Sequence, residues 1–122
     1  MGQDNFDAQK SENVTLKWNV FNPKVDSIYK LYFKDNKKQT SIGSSHVQVT
    51  NGPNKLSIDS TIHDSPFTKR TSGRLDLING IGTLEITINN LQYTDNGVII
   101  VENIYGPVLK AKGNTTLIVN GM

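Results

Sequence analysis

Side chains able to act as a nucleophile, a base or a metal ligand are few in this chain and lie apart. There is no cysteine, and so no thiol nucleophile, and there are only two histidines, His46 and His63. His63 is followed by Asp64, which would suit a general base with an orienting carboxylate, yet neighbours in sequence rarely face each other usefully. We therefore expect His63 and Asp64 to be solvated loop residues and predict that the chain is not an enzyme.

Signatures of metal and cofactor binding are equally sparse. Gly80 and Gly82 lack the strand-then-helix setting that a phosphate-binding loop requires. The basic pairs Lys37-Lys38 and Lys69-Arg70 are interpreted as solvated surface rather than anion sites. Three carboxylates near the N-terminus are too dispersed for a calcium loop of the EF-hand kind, namely Asp4, Asp7 and Glu12. We predict no metal and no cofactor.

Two segments match the pattern Asn-x-Ser/Thr, at Asn13 and at Asn114. In a chain this rich in Asn, Ser and Thr such matches arise by chance. They mark possible glycosylation sites and carry little weight alone.

Size and charge exclude several classes of protein. The 122 residues suit one domain, assigned to residues 1–122, and 35% hydrophobic residues are enough for a core. A net charge of +2 with scattered lysines does not predict a nucleic-acid partner. No apolar run approaches the roughly 18 residues that span a membrane, and no signal-peptide core follows Met1-Gly2. We expect any leader and membrane anchor to lie outside this sequence.

Alternating hydrophobicity predicts β-strands throughout. Val14, Leu16, Trp18 and Val20 alternate with polar residues, a period of two that places one face of the strand in a core. The other predicted features are a strand at 28–34, weaker strands between 38 and 60, a polar connection from 65 to 72, a hairpin at Asn79-Gly80, and strands at 84–88 and 113–119. Many short strands separated by turns favour a β-sandwich.

The stretch from Gly73 to Glu102 has the most specific spacing in the chain. An Arg opens one strand, an alternating strand follows, and a Leu-x-x-x-Asp-x-Gly corner leads into an apolar strand. This segment resembles strands D, E and F of a variable-type (V-set) immunoglobulin domain, an all-β sandwich of two antiparallel sheets. The resemblance implies an ion pair between Arg74 and Asp95 at the foot of the sandwich.

The residues that mark V-set domains are replaced here. The two disulfide positions fall on Trp18 and Val101, the tryptophan position on Leu31 and the tyrosine position on Ile99. Without cysteine, the usual disulfide between strands B and F cannot form. Because every replacement is large and apolar, we expect these four side chains to form a structural core instead. A disulfide contributes about 2–4 kcal/mol and burial of one large side chain about 1.5–3 kcal/mol.

The same alternation predicts an exposed face. If Leu31, Ile99 and Val101 point inward, the residues between them point out on one side of the sandwich, and V-set domains pair through that side. An apolar centre edged by charges is common in binding faces, although an interdomain contact or scattered apolar surface would have the same composition. The predicted partner-binding residues are Lys30, Tyr32, Lys34, Val98, Ile100, Glu102, Ile104, Tyr105 and Val108.

Among V-set domains, one without both cysteines and the tryptophan is most similar to the membrane-distal domain of hydrozoan allorecognition proteins, cell-surface receptors of colonial cnidarians. This resemblance implies homophilic binding in trans, to the same protein on an opposing cell, for self/non-self discrimination. It also implies a place in the extracellular part of a single-pass membrane protein. The alternatives are heterophilic receptor or ligand binding of the immune co-receptor type, and sugar binding by an adhesin-like sandwich, which would need an exposed Trp or calcium-binding carboxylates.

Overall fold

Ten strands and one short 3₁₀ turn make up the structure, a computed structural model that describes residues 3–58 and 70–121. The 3₁₀ turn is Tyr93–Asp95. The strands are β1 (Gln3–Gln9), β2 (Val14–Phe21), β3 (Ile28–Lys34), β4 (Gln39–His46), β5 (Gly52–Asn54), β6 (Leu56–Ile58), β7 (Thr71–Ile78), β8 (Ile81–Ile88), β9 (Gly97–Tyr105) and β10 (Val108–Asn120).

The strands form two sheets. The front sheet has the order β1-β10-β9-β3-β4-β6 and the back sheet the order β2-β8-β7-β5. Strand pairs are antiparallel except for β1 and β10, which run parallel with Phe6 opposite Leu117. The predicted all-β sandwich is confirmed. Its front sheet is mixed rather than antiparallel, because the first strand joins the sheet beside the last one.

The two sheets enclose a core built by alternation. In β2 four apolar side chains are buried, and the residue that follows each of them is exposed. The residues at the replaced V-set positions lie inside: Leu31, Ile99 and Val101 have no exposed surface, and Trp18 is 2% exposed. Leu31 and Val101 are register partners on β3 and β9, whereas Trp18 comes from the back sheet. All four belong to one hydrophobic cluster.

The connections between strands largely agree with those predicted from the sequence. The hairpin predicted at Asn79-Gly80 is confirmed: it joins β7 to β8, and both residues have positive φ (50° and 81°), as a turn matching the twist of the strands requires. The predicted polar connection ends earlier than expected, because Thr71 and Ser72 already pair with β8 as part of β7. Positions 65–69 of that connection lie outside the described residues.

The sandwich has two unlike ends. The loop end carries the connections β2–β3, β4–β5, β7–β8 and β9–β10, and the foot carries β1–β2, β3–β4 and β8–β9. Since β10 runs from the loop end to the foot, its last residue, Asn120, lies at the end opposite the loop end.

Asp95, at the foot, pairs with a different arginine from the one predicted. Its carboxylate is fully buried and accepts hydrogen bonds from Nη2 and Nη1 of Arg70, at 2.8 and 3.0 Å. The predicted pair of Arg74 with Asp95 is therefore wrong. Arg74 is the fourth residue of β7 and lies opposite Glu85 in register, with its Nε 2.6 Å from that carboxylate on the outer face of the back sheet.

The interpretation of Arg70 as solvated surface is wrong as well. Its side chain is 20% exposed, and Nη1 also donates to the carbonyl oxygens of Asn89 and Asn90, both at 3.0 Å. Arg70 precedes β7, so its side chain reaches the foot and ties the end of β8 to the 3₁₀ turn. Two parallel bonds to one carboxylate fix the geometry of such a pair.

Candidate functional site

Pairing of β3 with β9 brings most of the predicted partner-binding residues together on the outer side of the front sheet. Register partners there are Lys30 with Glu102, Tyr32 with Ile100, and Lys34 with Val98. The residues between them on both strands point into the core. We call this surface the front face, made up of Lys30, Tyr32, Lys34, Val98, Ile100, Glu102 and Ile104.

The centre of the front face is less accessible than the alternation implies. Ile100 lies on the outward side of β9, yet only 7% of it is exposed, whereas Tyr32 and Val98 are half-buried. The reason is that β9 lies between β3 and β10, so that Tyr32 and Asn114 flank Ile100 in register. The expectation of an exposed Ile100 is therefore wrong; the front face has a covered apolar centre.

Charges of both signs border this centre. Lys30 and Lys34 are exposed on β3, and Glu102 lies beside Lys112 of β10, with 4.0 Å between Oε2 and Nζ. Burial, with the negative charge of Glu102 as a smaller cause, raises the pKa of Tyr32. Its hydroxyl group therefore keeps its proton at physiological pH. The front face can offer a partner one neutral hydroxyl group and a charged border.

Tyr105 and Val108 lie apart from the front face. They flank the turn of the β9–β10 hairpin as register partners, at the loop end, and are 42% and 48% exposed. Gly106 in that turn has a φ of 58°, a conformation that glycine adopts at no steric cost. The structure thus divides the predicted residues between a sheet surface and the loop end.

The two possible glycosylation sites have contrasting surroundings. Asn13 is exposed at the foot, where its Oδ1 accepts a hydrogen bond of 2.9 Å from the backbone N–H of Asn90. Asn114 is half-buried in β10, and its Oδ1 is buried with no hydrogen-bond partner among the described residues. As the register partner of Ile100, Asn114 adjoins the centre of the front face.

The candidate catalytic residues are not brought into a site by the described structure. His63 and Asp64 lie outside the described residues. His46 is at the loop end, half exposed, with its Nε2 3.5 Å from Oδ1 of the exposed Asp26. Within 3–58 and 70–121, no group of three His, Cys, Asp or Glu residues is placed to hold a metal ion.

Three exposed apolar residues of the back sheet are missed by the sequence interpretation. Phe21, Ile81 and Ile78 are register partners across β2, β8 and β7, and are 64%, 54% and 74% exposed. Their signal is present in the sequence, because Phe21 continues the solvent-facing positions of β2, whose other members are polar. An apolar residue at a solvent-facing position of a strand indicates an exposed apolar surface.

Comparison with known proteins identifies the fold. No protein-family model matches the sequence, and no curated protein matches it. A structure of voltage-gated sodium channel beta subunits, studied for their multimeric cell-adhesive interactions, has a TM-score of 0.76 at 11% identity, covering 97% of this chain and 92% of that one. The chain has an immunoglobulin-like fold.

Two further structures agree with this immunoglobulin-like sandwich. The extracellular domain of the voltage-gated sodium channel beta4 subunit has a TM-score of 0.68 at 12% identity, covering 98% of this chain and 92% of that one. A marsupial T cell receptor has a TM-score of 0.70 at 16% identity, covering 95% of this chain and 48% of that one. In the described part of the chain, no helix is long and apolar enough to cross a membrane.

Proposed function

We propose that this chain is a cell-surface recognition and adhesion module that binds another copy of itself through the front face. The observation that carries the proposal is the partly accessible pair Tyr32 and Val98 beside the buried Ile100, bordered by lysines and Glu102. An apolar centre within a polar rim is the usual composition of a protein–protein interface.

The structural neighbours support a protein partner of the same type. The beta4 extracellular domain forms parallel homodimers that explain its role in cell–cell adhesion, and the other beta-subunit structure concerns cell-adhesive interactions. By this analogy of fold, we propose homophilic binding between opposing cells by the extracellular part of a single-pass membrane protein. These neighbours, adhesion and receptor domains, also favour a non-enzymatic role.

We further propose self/non-self discrimination as the purpose of this binding, because the replaced cysteine and tryptophan positions resemble those of hydrozoan allorecognition receptors. Such a function does not require a tight contact between two isolated domains. Many copies on opposing membranes multiply a weak single-site affinity. The 122-residue chain is therefore expected to associate weakly in solution while its dense display on a surface gives stable adhesion.

A bead assay tests the proposal. Beads coated with the chain should clump with each other, and beads carrying Val98→Asp should not, because the carboxylate would place a charge beside the apolar centre. Val98 is half-buried and lies opposite Lys34, so the folded domain should tolerate Asp there. Ile100→Asp is a poorer choice, because a carboxylate at a position that is 7% exposed would destabilise the fold itself.

Ser72→Asp is the matched control, since Ser72 is exposed on the outer side of the back sheet and beads carrying it should clump like the wild type. Clumping that survives in a folded Val98→Asp protein would show that adhesion does not depend on the front face. If wild-type beads do not clump with each other but bind beads coated with a different surface protein, the recognition is heterophilic instead.

A further inference from the structure

Exposed apolar side chains are concentrated at the loop end. Among the described residues, ten large hydrophobic side chains remain exposed, and eight of them lie at this end. Singly scattered apolar residues are normal on a protein surface, whereas a contiguous group marks an interaction site. We call this surface the apolar end, made up of Phe21, Val25, Val49, Ile78, Ile81, Tyr105, Val108 and Leu109.

Three of these residues form a continuous row. Phe21, Ile81 and Ile78 are register partners on the adjacent strands β2, β8 and β7, and neighbouring strands are about 4.8 Å apart. Their side chains are therefore side by side on the outer face of the back sheet, at the edge where the sheet meets the loops. The row is also the most exposed part of the apolar end.

Hydrogen bonds hold the loops beneath this surface in place. The N–H of Asn22 donates to the carbonyl oxygen of Gly80 at 2.6 Å, and the N–H of Gly80 donates to that of Thr50 at 2.7 Å. The N–H groups of Asp26 and Val47 donate to the carbonyl oxygens of Val47 and Ser27, at 2.8 and 2.9 Å. Three of the four connections at the loop end are thus tied together, which lowers the entropy lost when a partner binds.

We propose that the apolar end is a second contact surface, at which the corresponding surface of another copy of this chain docks about a two-fold axis. The proposal rests on the homophilic function proposed above and adds a surface distinct from the front face. Two such surfaces on each copy would allow more than two copies to associate, which suits the clustering of an adhesion protein.

Area and charge both support a second copy as the occupant. The eight apolar side chains share the loop end with the exposed Lys24, Asp26 and Lys110, so charges of both signs border the surface and a lysine of one copy can pair with Asp26 of the other. With about half of each side chain exposed, the apolar end presents on the order of 500 Å² of apolar surface, against ~800 Å² per partner in a standard interface. This is enough for a weak contact. The loop end also points away from the C-terminal end of β10, so a chain continuing from the foot would not obstruct it.

Concentration-dependent NMR of the ¹⁵N-labelled chain tests this inference. On dilution from millimolar to micromolar concentration, the amide signals of the apolar end in the wild type should shift. Phe21→Asp and Ile78→Asp should each abolish these shifts and weaken association at least tenfold, because each carboxylate would have to lose its hydration for the row to be covered by another copy. Both side chains are more than half exposed, so both variants should remain folded, and they lie on different strands as independent checks.

Tyr93→Asp is the matched control, because Tyr93 is 50% exposed at the foot and its loss should leave association unchanged. Concentration-dependent shifts confined to the front face would overturn the inference and leave the homophilic function standing. No concentration dependence together with no bead clumping would overturn both. Shifts at the apolar end that appear only on addition of a different protein would overturn the assignment to a second copy.

Discussion

Arg70 and Asp95 are joined by two hydrogen bonds at the foot of the sandwich, 25 residues apart in the sequence. Asp95 is fully buried, and its Oδ2 also accepts the backbone N–H of Gln92 at 2.8 Å. The pair therefore links the segment entering β7 to the 3₁₀ turn that precedes β9. Its role is structural, since it holds the corner from which a strand of the front face starts.

Arg70→Ala should destabilise the protein by about 3–5 kcal/mol, because the buried carboxylate of Asp95 would lose its compensating charge. Arg74→Ala should change the free energy of unfolding very little, because that guanidinium group lies in solvent on the back sheet. Urea denaturation followed by circular dichroism measures both. A larger effect of Arg74→Ala than of Arg70→Ala would contradict the pairing described here.

The difference between these two arginines shows what sequence spacing can predict. The corner around Asp95 was recognisable, and so was the need for a cation at the foot. Two arginines, Arg70 and Arg74, lie close to the start of the same strand, and spacing alone does not say where β7 begins. That register depends on tertiary pairing, which places Arg74 opposite Glu85.

The front face shows a similar limit. Alternation correctly predicts the direction of side chains, so the burial of Leu31 and the outward position of Tyr32 both follow from the sequence. Exposure depends in addition on the neighbouring strands, which is why Ile100 is covered. Apolar residues on solvent-facing positions, such as Phe21 and Ile78, are not distinguished from core residues by hydrophobicity alone.

Substitutions of Trp18 test what stabilises the core in the absence of a disulfide. Trp18→Ala should cost about 3–5 kcal/mol, because it leaves a large cavity between the sheets. Trp18→Phe should cost less, because the buried indole N–H has no hydrogen-bond partner among the described residues and an unsatisfied donor is itself unfavourable. Equal losses of unfolding free energy in the two variants would contradict this account of Trp18 as a core residue that acts through its volume.

Tyr29 should make the stability fall at alkaline pH. Burial raises its pKa to about 12 in the folded protein, against about 10 in the unfolded chain. Below pH 10 the Tyr29 hydroxyl keeps its proton in both the folded and the unfolded state, so the free energy of unfolding keeps its full value. Between pH 10 and 12 the hydroxyl loses its proton in the unfolded state only. The free energy of unfolding should then decrease by about 1.4 kcal/mol per pH unit between these two values.

Tyr29→Phe provides the comparison for this alkaline effect. Urea denaturation near neutral pH and at about pH 11 should show a smaller loss of stability in the variant than in the wild type. Some loss will remain, since the pKa of Tyr32 is also raised. The same alkaline loss in both proteins would mean that Tyr29 ionises as readily in the folded state as in the unfolded one.

Glycan occupancy at Asn114 is a direct test of binding through the front face. Asn114 is the register partner of Ile100, so a glycan attached there would cover the apolar centre and hold another copy away. If the front face binds, the adhesive protein produced by eukaryotic cells should carry no glycan at Asn114. Asn13 is exposed at the foot, where a glycan would leave both the front face and the apolar end accessible.

Mass spectrometry of peptides from the secreted chain measures occupancy of the two sites, and the bead assay measures adhesion of the same preparation. We expect Asn114 to be unmodified and Asn114→Gln to leave clumping unchanged, with Asn13→Gln as the matched control. Removal of any glycan from Asn13 should likewise have little effect, because that site is remote from both proposed contact surfaces. Full occupancy of Asn114 in protein that still clumps would be incompatible with binding through the front face, because glycan and partner cannot occupy the same surface.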